Sequence, residues 1–123
     1  MTTSKSPRQV LFVAWQIGKS TLRRYAHRFS PKKFTQPQLF ACLVLKEFLK
    51  LDYRGLAELL KDTPQLQSTI ALRTVPHFTT FQKASQRLLR FRRAKRILRK
   101  TVHWAIEKRL LKKVRLAALS RST

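Results

Sequence analysis

Thr79, Thr80, Gln82, Lys83 and Gln86 gather two hydroxyls, two amides and an ammonium within one stretch of eight residues. Short hydrogen-bonding groups of this kind reach base edges in the major groove of DNA when a helix presents them near its N-terminus. The stretch leads directly into a second set of different character. Arg90 to Lys100, RFRRAKRILRK, holds seven bases in eleven residues, and no acid interrupts the chain from Lys83 to Ile106. Arg87, Arg90, Arg92, Arg93, Lys95, Arg96, Arg99 and Lys100 are therefore candidates for phosphate contacts, which place a protein on DNA without reading its sequence. An ordinary amphipathic surface helix would give the first pattern, and a solvated charged face the second. The missing acids weigh against the latter.

No comparable set supports catalysis. His27, His77 and His103 are scattered, and Cys42 is the only cysteine, so no Cys/His spacing suits zinc. The five acids fall near helix starts or in i,i+3 and i,i+4 neighbourhoods, without the paired carboxylates of a two-metal site. A Gly-rich phosphate loop is absent from a chain with two glycines. The residues thus predict no catalytic group, no metal site and no cofactor.

The elements that must position the two sets read as all-α, because no stretch alternates apolar and polar residues between turn signals. Arg8 to His27 forms a first helix, with Val10, Ala14, Ile17, Thr21 and Tyr25 on one side and a weak interruption at Gly18. Thr35 or Gln36 caps a second helix with Pro37 in its first turn, running to about Leu51. Its apolar residues cover most of the circumference, which makes it the central helix. Asp52 caps a short helix, Tyr53 to Lys61, and Asp62-Thr63-Pro64 starts another that ends near Ala71. Pro76 breaks the pattern, and Thr79 or Thr80 caps the helix that carries the base-reading set. From there the chain has neither Pro nor Gly. One long basic helix, or two with a bend near Phe91 and Arg92, runs to about Lys113, with Ala94, Ile97, Leu98, Thr101, Val102, Ala105 and Ile106 inward. Phe40, Leu43, Val44, Phe48, Leu56, Leu60, Phe81 and Leu88 are expected to share one core.

Charge divides along the same lines. Residues 34 to 62 balance four acids with four bases, whereas residues 1 to 33 have eight bases and no acid, and residues 83 to 123 have fifteen bases against Glu107 alone. The net charge of +23 on 123 residues repels itself and makes sense beside a polyanion. Nucleic acid is the default partner and an anionic membrane surface the second. A lone cysteine permits no intrachain disulfide, which favours a reduced cytosol. The apolar run Val10 to Trp15 behind Lys5 and Arg8 is too short for a signal peptide, and no run approaches a membrane span.

FTQPQLFACLVLKEFLKLDYRGLAELLKD (34 to 62), followed by TVPHFTTFQKASQRL (74 to 88), resembles the N-terminal region of DDE-type transposases of bacterial insertion sequences. The likeness spans about residues 25 to 119. It implies a compact helical bundle with a helix-turn-helix-like region that binds the terminal inverted repeats of the element. With the charge pattern it gives three expected parts: a basic N-terminal helix or arm (1–29), a helix-turn-helix-like DNA-binding core (30–91), and a basic helix (92–123) that, by the resemblance, ends in the truncated start of an RNase H-like catalytic domain. Intact members of the family hold divalent metal there, with magnesium the expected ion. "KKVRLAAL", Lys112 to Leu119, resembles the approach to the first catalytic strand, but Ser120 stands where an Asp would follow. Without its sheet, Val114 to Leu119 is expected to extend the preceding helix or fray. The implied protein is a DNA-binding fragment without catalytic activity, cytoplasmic and nucleoid-associated in a bacterium, with a full-length transposase or a second copy as further partners. Alternatives are a cationic RNA-binding or membrane-surface protein, and a transposase subunit completed by another chain.

Overall fold

The computed structural model describes residues 7–22 and 34–122, and among these every regular element is helical. In chain order they are α1 (Pro7–Thr21), α2 (Gln36–Leu49), α3 (Tyr53–Asp62), α4 (Pro64–Thr69), α5 (Phe78–Leu89) and α6 (Arg92–Ser122).

The centre is α2. Pro37 through Leu45 and Phe48 are buried, because α1, α3, α5 and α6 all pack against this helix. Its start is fixed twice. The Thr35 hydroxyl accepts from the Gln38 N–H at 3.2 Å, while Gln38 Oε1 accepts from the Thr35 N–H at 2.9 Å, a reciprocal cap that satisfies two orphan donors. Gln38 then does a second job. Its Nε2 donates to the carbonyls of Ile70 (2.9 Å) and Ala71 (3.1 Å), tying the start of α2 to the turn after α4. Ala71 in that turn has φ of 58°, as does Lys50 after α2, both in the left-handed region.

The eight residues expected in one core are all in a single buried cluster, joined by Val10, Leu11 and Ala14 of α1 and by Leu98 and Ala105 of α6. The three segments drawn from sequence are therefore bound by one hydrophobic core. Cys42 sits at its middle with no exposed surface, and burial pushes its thiol up from 9.0 to about 12.

Several boundaries differ from the sequence reading. Gly18 does not interrupt α1. It is buried where a Cβ would lie 3.1 Å from Pro37 Cα and 3.2 Å from the Phe40 ring, so glycine lets α1 approach α2. Tyr25 and His27 lie outside the described residues. Helix α2 stops at Leu49 and α4 at Thr69, each two residues early, because Lys50 and Ala71 turn left-handed. The cap of α5 is His77 rather than Thr79 or Thr80: its Nδ1 accepts from the Thr79 N–H at 3.3 Å. Phe91, at the expected bend, does separate two helices. Ile106 faces solvent (37% exposed) instead of the core. Val114 to Leu119, by contrast, extends α6 as expected. A lone strand has no ladder to join, whereas a helix satisfies its own backbone.

Candidate nucleic-acid interface

Helix α5 divides cleanly around its circumference. Phe81, Ala84, Ser85 and Leu88 are buried, and Gln82, Lys83, Gln86 and Arg90 are exposed. At 3.6 residues per turn, these four project from one outward sector with Thr79 among them. Thr79 is half-buried, and its hydroxyl lies 2.9 Å from His77 Nδ1, so it already has a partner. Thr80 and Arg87 are also half-buried and sit on the shoulder where the helix meets its neighbours. The outward face of the expected base-reading set therefore reduces to Gln82, Lys83 and Gln86, with Thr79 between them.

On α6 the inward residues are Ala94, Leu98, Thr101 and Ala105. Thr101 satisfies its hydroxyl by donating to the Ile97 carbonyl at 2.8 Å. The opposite half carries Arg92, Arg93, Lys95, Arg96, Arg99 and Lys100, every one exposed. An acid first meets this face at Glu107, which pairs with His103 at 2.7 Å. In contrast, the ion pairs of the neutral block are short-range: Lys46 with Glu47 (2.9 Å) and Lys61 with Glu58 (3.9 Å). Lys46 also lies over the Tyr53 ring, and Asp52 accepts from the Gly55 N–H at 2.6 Å to cap α3. Glu47, Asp52, Glu58 and Glu107 thus each engage a near neighbour in sequence, and among the described residues no ion pair joins an acid to the basic face before Glu107.

Where α5 gives way to α6, a groove of about 510 Å³ opens between them and the facing ends of α1 and α2. Arg87, Arg90, Arg93 and Phe91 line it. The Nε of Arg87 is buried without a hydrogen-bond partner. Phe91 is 61% exposed. Neither feature was part of the sequence expectation; an aromatic set inside an arginine run was the available signal.

Among the described residues, no group of three or more His, Cys, Asp or Glu side chains is placed to hold a metal ion, and no helix is long and apolar enough to cross a membrane. No protein-family model, curated protein or solved structure matches the chain.

Proposed function

We propose that this chain is a DNA-binding module, in which α5 reads bases in the major groove as the second member of a helix-turn-helix-like pair and α6 tracks the phosphate backbone. The observation that carries the reading is the exposed basic surface running from Lys83 to Lys100 on two helices whose backs are fixed in one core. Gln82 and Gln86 have the chemistry for bidentate contact with adenine, and Lys83 for guanine. The exposed arginines and lysines of α6 supply sequence-independent affinity.

The resemblance to the N-terminal region of DDE-type transposases supports the same reading and supplies a candidate target, the inverted repeats at the ends of an insertion sequence. On this reading the chain binds DNA and does no chemistry of its own, and it works in the bacterial cytoplasm at the nucleoid. The test is selection of bound duplexes from a random-sequence pool, followed by anisotropy titrations of the winning sequence across a salt series. Enrichment of one motif is expected, with Gln82→Ala or Gln86→Ala lowering its preference over random duplex by about 1–3 kcal/mol. Absence of any enriched motif, with binding intact, would reduce the protein to a non-specific polyanion binder.

A further inference from the structure

We infer that the groove at the α5–α6 junction seats an unpaired nucleotide, its base stacked on Phe91 and its phosphate held by Arg87, Arg90 and Arg93. The inference rests on the nucleic-acid reading above and adds a site to it.

Phe91 leaves 61% of its surface in water while sitting between Arg90 and Arg92. Its backbone is held on both sides: the Phe91 N–H donates to the Leu88 carbonyl (3.3 Å), and its own carbonyl accepts from the Lys95 N–H (3.1 Å). The ring is thus presented from a fixed position. Beneath it, Leu88, Ala94 and Ile97 give the groove an apolar floor. Its volume of about 510 Å³ falls within the range of roughly 300–1,000 Å³ usual for small-molecule sites.

Arg87 adds the second observation. A buried N–H without an acceptor costs free energy unless a ligand supplies one. Arg87 lines the same groove, and Arg90 and Arg93 bring two more guanidiniums to it, so an anionic oxygen seated there meets three cations, one of which has an N–H still without an acceptor. Guanidinium forks match phosphate geometry.

An aromatic face beside a phosphate clamp distinguishes unpaired from paired nucleic acid. Bases in a duplex offer only their edges, because their faces are covered by neighbours. A bulged or overhanging base has a free face, and every base can stack on an aromatic ring.

The test uses the full chain and two duplexes that differ by one unpaired nucleotide, with 2-aminopurine at that position. Anisotropy should give the bulged duplex about tenfold tighter binding, in the range of one base–aromatic stack, and 2-aminopurine fluorescence should fall on binding. Phe91→Ala should abolish the difference and the quenching while leaving the paired duplex within about twofold; Phe91→Trp should preserve both. Arg87→Lys keeps the charge but lacks the Nε–H, and should weaken the bulged duplex more than Arg99→Lys does. Circular dichroism of Phe91→Ala should match the parent. Equal affinity for both duplexes, or equal loss on both in Phe91→Ala, would overturn the groove site and leave DNA binding standing. No salt-sensitive binding to either duplex would overturn both readings.

Discussion

Gln38 connects two parts of the chain more than thirty residues apart through one amide, its oxygen on the Thr35 N–H and its nitrogen on the Ile70 and Ala71 carbonyls. Both ends of the amide are in use, so its two atoms cannot be exchanged. Gln38→Ala should cost about 1–3 kcal/mol in a denaturant titration, since it leaves the buried Ile70 carbonyl without a partner and frees the part-buried Ala71 carbonyl and Thr35 N–H. Gln38→Glu should cost at least as much at neutral pH, because a carboxylate cannot donate to two carbonyls. Recovery of stability in Gln38→Glu at low pH, relative to Gln38→Ala, would mark the protonated acid restoring one donor. The capping role of this region was legible in Thr35-Gln36-Pro37, but the long-range link was not. Nothing local in the sequence says that the carbonyls of residues 70 and 71 turn toward α2.

At the scale of elements, apolar periodicity identified the described helices, because each has a proline, a cap or a continuous apolar face; most ends fall within a few residues, but α1 stops at Thr21, short of the expected His27, and α6 runs on to Ser122 past Lys113. It misjudged the details that depend on contact between helices. Gly18 reads locally as a weak point, yet it is where α1 meets Pro37 and Phe40. Gly18→Val should destabilise by about 1–3 kcal/mol through overpacking. Gly18→Ala should stay within about 1 kcal/mol of the parent, because better helix propensity opposes the close approach to a main-chain atom. Thermal melts of the two variants separate these effects. For the candidate interface, Gln82, Lys83, Gln86 and the α6 bases were legible from type and spacing. The engagement of Thr79 by His77 and the groove around Phe91 were not, since both arise from the geometry of a turn and a junction rather than from composition.

For the molecule as a whole, the neutral segment from Phe34 to Asp62 supplies about half of the core, and the cationic surface gathers on the helices around it. DNA binding should therefore weaken steeply with salt. Arg92, Arg93 and Arg96 replaced together by Ala should reduce the slope of log K against log salt by up to about 3, at roughly 0.9 for each phosphate left without its cation, and by a similar amount on every duplex sequence. An unchanged slope would remove α6 from the phosphate path. Alkali probes the core instead. The Cys42 thiol is raised when folded, so its contribution is fully present below pH 9 and is lost as pH rises toward about 12, because only the unfolded chain gains from ionising it. The stability gap between the parent and Cys42→Ala should narrow over that window in denaturant titrations at successive pH values. A solitary thiol sealed in the centre is also a built-in clock: a thiol reagent can reach Cys42 only when the core opens. Its labelling rate counts those openings without any engineered probe, and a bound polyanion should slow the count in proportion to site occupancy.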